Sequence, residues 1–186
     1  SGVFDFRARG IFRNRGQSPM VGDRVQVKNG VIDQLLPRKN NLIRPPLANL
    51  DQLLFVVSMY KPAPNLLLLD KFIAIAEYKQ ITPILVVTKA DLEDPAPLVE
   101  IYQKAGIPVY VVEYAIPRTV DAVAACLRGK VSAFTGNSGA GKSTLLNAID
   151  ASLQLETGSI SEKLGRGRHT TRHVELYHLA CGAEVV

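Results

Sequence analysis

Cysteine is scarce. Cys126 and Cys181 are the only two in the chain. They stand at no metal-like spacing, so neither a disulfide scaffold nor a cysteine metal site is expected; they read as two buried, reduced thiols of a cytosolic protein. Long apolar runs are also missing. Leu53–Val57 and Ile84–Val87 have the length of strands, and apolar runs this short exclude a helical bilayer span. No signal peptide is expected, because the start already reads as a strand. There is no internal repeat and no low-complexity tract. What remains is an apolar fraction of 47% with 21% charged residues, enough to support a packed core and far from the composition of a disordered chain.

The net charge of +5 is placed unevenly. Residues 1–46 hold nine cations (Arg7, Arg9, Arg13, Arg15, Arg24, Lys28, Arg38, Lys39, Arg44) against three anions (Asp5, Asp23, Asp33). The other 140 residues are nearly neutral. A basic N-terminal segment attracts phosphate-rich partners, although a merely soluble surface has the same composition.

Texture divides the chain at about the same place. Residues 1–45 read as short strands: a run from Val3 to Phe12, a second through Val21, Val25 and Val27, and a third through Val31, Ile32, Leu35 and Leu36. Asn29-Gly30 between the last two is a hairpin signal. Together they suggest a small β barrel, or part of one, over 1–45. Arg44-Pro45-Pro46 predicts a linker, because proline disfavours helix in the residue before it.

From residue 46 to 186 the pattern is α/β. Strands are predicted at Leu53–Ser58, Pro83–Thr88, Val109–Val112 and Val131–Phe134. Helices are predicted at Leu67–Tyr78, Pro97–Ala105, Thr119–Leu127 and Ser143–Ile149. Val174–Leu179 and Glu184–Val186 read as two final strands. Alternation of this kind implies a mostly parallel six-stranded sheet with helices on both faces.

Two motifs carry chemistry. Gly136-Asn137-Ser138-Gly139-Ala140-Gly141-Lys142-Ser143, continued by Thr144, fits the G-x-x-x-x-G-K-[ST] phosphate loop at every fixed position. Glycines let successive N–H groups turn toward phosphate oxygens, and the following helix adds its positive N-terminus. Lys142 would reach the β- and γ-phosphates, and Ser143 would ligate Mg²⁺. Thr88-Lys89-Ala90-Asp91 follows a strand directly and fits [NT]-K-x-D. A carboxylate at Asp91 can accept from guanine N1–H and N2–H₂, whereas adenine offers no such donor pair. Lys89 would lay its stem along the base. Thr88 stands where asparagine is commoner, which leaves the contact to guanine N7 open. The base motif precedes the phosphate loop, the reverse of ordinary GTPases. Compact domains tolerate such rearrangement because their ends lie close together. The usual last helix is then Thr119–Leu127, joined through Arg128-Gly129-Lys130 to the usual first strand.

With these motifs the chain resembles the circularly permuted GTPases of bacterial small-ribosomal-subunit assembly, the ribosome small-subunit-dependent GTPase A family. Arg9-Gly10 and Val21-Gly22-Asp23-Arg24-Val25 are similar to that family's oligonucleotide-binding (OB-fold) barrel. Pro37-Arg38-Lys39-Asn40, Arg44-Pro45 and Asn49-Leu50-Asp51-Gln52 are similar to its linker and first GTPase strand. Leu69-Asp70-Lys71-Phe72 follows in register, and Gly165-Arg166-Gly167-Arg168-His169-Thr170-Thr171 resembles its first switch loop. The resemblance implies GTP hydrolysis to GDP, stimulated by the small ribosomal subunit. It implies that Lys142, Ser143, Thr170 and Thr171 do the catalytic work, with Ser143 and one of the two threonines on Mg²⁺. His169 would position water or rRNA, or be an ordinary surface histidine. Arg7, Arg9, Arg13 and Arg15 are the candidates for rRNA phosphate contacts. A cytoplasmic monomer is expected.

Two departures accompany the resemblance. The family's base-contacting Ser-Ala-like loop should fall near Glu113-Tyr114-Ala115, where serine is missing. No D-x-x-G second switch occurs, and the zinc-binding C-terminal domain would follow later still. A fragment is therefore expected, one that binds nucleotide better than it hydrolyses it. Two other readings are a P-loop ATPase or small-molecule kinase, with Thr88–Asp91 coincidental, and an RNA-binding module with an inactive nucleotide site.

Overall fold

The computed structural model describes residues 4–8, 10, 12, 18–157 and 176–186. Near the N-terminus, β1 (Arg7–Ala8), β2 (Val25–Lys28) and β3 (Val31–Leu35) form one small sheet in the order β1-β3-β2. The β2–β3 hairpin turns at Asn29-Gly30, where both residues adopt positive φ (52° and 73°) and Lys28 pairs with Val31. That is the turn the dipeptide predicts, since mirror-image turns match the twist of paired strands.

The first run is shorter than predicted. Among its described residues only Arg7–Ala8 forms a strand, paired parallel to Val31–Ile32, while Gly10 lies in a turn and Phe12 is helical and buried. The second run is also cut. Val21 makes an isolated bridge to Leu47 instead of continuing into Val25. The cause is Gly22, held at φ 88° against the Ala48 carbonyl, where a Cβ would collide.

The Arg44–Pro46 segment is not an extended linker. It is the turn of a second hairpin, β4 (Asn41–Leu42) with β5 (Leu47–Ala48). Leu47 and Leu50 are buried in the main core, and the Asn40 amide grips the Leu50 backbone from both sides (2.8 and 2.9 Å). Proline ends regular structure here, but the apolar residues that follow find a core to enter.

The central sheet has six strands. β6 (Gln52–Ser58) lies in the middle, flanked by β7 (Thr82–Thr88) and then β8 (Val109–Val111). On its other side come β9 (Val131–Thr135), β11 (Glu184–Val185) and β10 (Tyr177–His178) at the edge. All neighbours are parallel except β10 with β11. The final strands are shorter than predicted; Val174 lies outside the described residues.

Helices cover both faces, which explains why β6 and β7 read as unbroken apolar runs. Leu53, Phe55 and Leu85 face α1 (Leu66–Tyr78) and α2 (Ala96–Lys104), packing with Leu69, Ile73, Leu98 and Tyr102. Leu54, Val56 and Val86 face α3 (Pro117–Leu127) and α4 (Lys142–Ile149), packing with Val120, Val123, Leu127 and Leu145. Helix bounds agree with the sequence to within two residues. α3 begins at Pro117 because proline suits the first helical turn. The two cysteines are free, and half-buried instead of enclosed. Among the described residues, no helix is long and apolar enough to cross a membrane.

Candidate nucleotide site

Parallel strands deliver their following loops to one edge of a sheet. β9 runs into residues 136–141 and then α4; β7 runs into Thr88–Asp91; β8 runs into Glu113–Ile116. These loops meet above the carboxyl ends of the strands.

The glycine loop needs its glycines. Gly136 sits at φ 150° so close to β6 that a Cβ would strike the Val56 carbonyl. Gly141 caps α4 at φ 93°, a left-handed conformation that other residues adopt only with strain. The start of α4 is thereby turned toward the loop, and its first N–H groups lack intrahelical partners. The Lys142 ammonium lies back across the loop mouth, donating to the carbonyls of Gly136 (2.7 Å) and Asn137 (2.9 Å). Burial lowers its pKa from the ordinary lysine value. An anion entering the loop would offset the cost that burial places on the charged ammonium.

The base motif is tied directly to this loop. The buried Thr88 hydroxyl donates to the Ala140 carbonyl (2.7 Å) and also faces the Val57 carbonyl (3.2 Å). Lys89, at φ 56°, donates its ammonium to the carbonyls of Tyr60 (3.0 Å) and Lys61 (2.7 Å). Ala90 is half-buried and Asp91 is exposed at the rim. Thr88 and Lys142 thus stand on neighbouring loops, as one ligand bridging both would require.

Residues 59–62 complete the wall, and sequence reasoning missed them. They carry no motif; their role rests on backbone carbonyls and on Pro62, which packs beside Gly139. A cleft of about 170 Å³ between this loop, Phe72 of α1 and Gly136 is largely apolar and offers phosphate little. The switch candidates Gly165–Thr171, including His169, Thr170 and Thr171, lie outside the described residues. So do Arg9, Arg13 and Arg15. Arg7 is exposed on β1. Arg38 and Lys39 are spent on ion pairs with Asp23 and Asp51.

The arrangement has known relatives. Residues 35–186 match the family model described as RsgA GTPase, and residues 1–32 match the RsgA N-terminal domain. The chain belongs to the RsgA GTPase family. It is 44% identical to the small ribosomal subunit biogenesis GTPase RsgA of Alkaliphilus metalliredigens, across 99% of this chain and 66% of that protein. It is equally identical to the RsgA of Geobacillus kaustophilus, across 97% and 65%. The chain therefore spans just under two thirds of the length of these curated relatives. Among solved structures it superposes on YjeQ from Thermotoga maritima with a TM-score of 0.73 at 31% identity, covering 96% of this chain and 63% of that one. It superposes on YloQ, titled a circularly permuted GTPase, with a TM-score of 0.69 at 35% identity, covering 96% and 60%. The fold is accordingly that of a permuted RsgA GTPase domain preceded by an OB-fold N-terminal domain.

Proposed function

We propose that this chain binds GTP, hydrolyses it to GDP and phosphate, and in the complete protein serves maturation of the small ribosomal subunit, which stimulates the reaction. The observation that carries the reading is the Thr88–Ala140 hydrogen bond, which locks a guanine-type motif against a phosphate loop. The printed names of the relatives support the ribosomal part.

In this reading the phosphates lie across Gly136–Thr144, over the start of α4. Lys142 leaves the Gly136 and Asn137 carbonyls and neutralises the β- and γ-phosphates. Asp91 accepts from guanine N1–H and N2–H₂; ATP would leave that carboxylate facing no donor. Among the described residues no group of acidic, histidine or cysteine side chains could hold a metal. Mg²⁺ commonly takes one or two protein oxygens and completes its shell with phosphates and water. Ser143, on the first turn of α4, is the ligand within reach, joined by Thr170 or Thr171. Magnesium, when bound, offsets charge on the β- and γ-phosphates. No described side chain is placed as a general base, so the chain's contribution is positioning and charge neutralisation. The basic N-terminal strands, with Arg7 exposed, would meet rRNA phosphate. A cytoplasmic monomer is the matching state.

The test is base specificity. Asp91→Asn should weaken GTP binding by roughly 100-fold or more, the worth of two hydrogen bonds to a charged acceptor. It should improve binding of xanthosine triphosphate, whose edge suits an amide. An unchanged nucleotide ranking, or wild-type protein that binds ATP as well as GTP, would defeat the proposal.

A further inference from the structure

A bound guanine needs more than Asp91. The carboxylate can serve only the N1–H and N2–H₂ donors; the opposite edge of the base carries two acceptors, N7 and O6, which need a donor. The donors around the base motif are mostly spent. Thr88 gives its one hydrogen to a carbonyl of the phosphate loop. Lys89 is held by Tyr60 and Lys61.

Tyr114 is different. Its hydroxyl and that of Thr88 both lie 3.7 Å from the point where a Cβ on Gly141 would stand. The phenol therefore reaches the start of α4 from the third loop. It makes no hydrogen bond among the described residues, and the side chain is 42% exposed, open to a ligand. Burial raises its pKa, so it remains a donor at neutral pH. The loop beneath it is fixed. The Glu113 N–H donates to the Thr119 hydroxyl (3.1 Å), which faces the carbonyls of Glu113 (2.9 Å) and Ile116 (2.8 Å). The Val112 N–H is held by Val87 (2.8 Å).

We propose that Tyr114 is a guanine-specificity residue whose hydroxyl donates to N7, the contact that the shortened, already committed Thr88 cannot make. N7 is favoured over O6 because it is the acceptor nearer the sugar and phosphates, and the phenol stands beside the phosphate loop. The assignment rests on the guanine-nucleotide reading above.

The experiment uses full-length protein, GDP, and 7-deaza-GDP, which replaces N7 with a carbon that cannot accept. Wild-type protein should bind GDP about 3–10-fold more tightly than 7-deaza-GDP, the range of one hydrogen bond. Tyr114→Phe should lose that margin on GDP and bind 7-deaza-GDP as the wild type does. If the wild type binds both ligands alike, or Tyr114→Phe still discriminates between them, the assignment is overturned whether or not the variant is fully stable. Failure of wild-type protein to bind GDP at all would instead overturn the nucleotide reading on which it rests.

Discussion

The Thr88 hydroxyl donates to the Ala140 carbonyl across 2.7 Å, from the end of β7 to the phosphate loop that follows β9. The two strands are not neighbours, since β6 runs between them. The bond therefore sets the distance between base site and phosphate site independently of the sheet ladder. Both residues are almost fully buried, at 1% exposure each. Thr88→Val keeps the shape but leaves the Ala140 carbonyl without this donor, at a cost of about 1–3 kcal/mol. Thermal unfolding should move down by roughly 2–12 °C, and GDP affinity should fall with it. A variant that melts and binds like the wild type would show that the two loops hold their spacing without Thr88.

Gly136 and Gly129 both have positive φ, but their surroundings differ. A Cβ at 136 would meet the Val56 carbonyl, whereas at 129 the space is open. Gly129→Ala should cost about 1–2 kcal/mol, the strain of a left-handed alanine. Gly136→Ala adds a backbone collision to that strain and should cost several kcal/mol, on the order of 4. Urea unfolding of the two variants ranks them; equal losses would mean that β6 and the phosphate loop part easily.

Asp51 provides a pH test. Burial alone would raise its pKa, but the Lys39 hydrogen bond, the Val131 N–H and the charges of Lys39 and Lys130 outweigh it and hold the carboxyl below its ordinary value. A lowered folded pKa means stability that is present above the unfolded value of about 3.9 and is lost as pH falls through the folded one. The Asp51 side chain is 37% exposed, so solvent screening keeps the pair's contribution near 1 kcal/mol or less. Asp51→Asn should be destabilised by about that much at pH 7, and the gap to wild type should close as pH drops below about 4. Denaturant titrations at pH 7, 5 and 3 check it. A gap independent of pH would remove the charge from the explanation.

Much of this was legible in the sequence, for identifiable reasons. β6 and β7 announced themselves because both faces are covered and their inner residues, 53–57 and 83–87, are all apolar. The phosphate loop was legible because Gly136 and Gly141 have conformational demands that no other residue meets cheaply. What escaped was set by tertiary contact. The break between Val21 and Val25 comes from Gly22 pressed against Ala48, a residue 26 positions on. The hairpin at Arg44–Pro46 folds because Leu47 and Leu50 find a distant core. The carbonyls of Tyr60 and Lys61 serve Lys89 through backbone atoms, which leave no trace in residue type. Tyr114 was visible only as a departure from an expected serine; its approach to Gly141 needed coordinates.

The permuted connection has its own lock, at the opposite end of the sheet from the nucleotide loops. Gln52 opens β6 and is wholly buried. Its amide nitrogen donates to the Ser132 hydroxyl (2.9 Å) and the Cys126 carbonyl (3.1 Å), and its oxygen accepts from the Lys130 ammonium (3.2 Å). Cys126 lies in α3, Lys130 in the connection and Ser132 in β9, so one side chain grips the three pieces that the altered chain order joins. Gln52→Leu leaves the Cys126 carbonyl and the Ser132 hydroxyl buried without this partner and should cost about 2–4 kcal/mol. Ser132→Ala removes one of those orphans, so the double variant should be less damaged than the two single losses together, by about 0.5–1 kcal/mol or more. Strict additivity in a double-mutant cycle would mean that Gln52 and Ser132 do not interact, and the Gln52 side chain would then grip the junction only through Cys126 and Lys130.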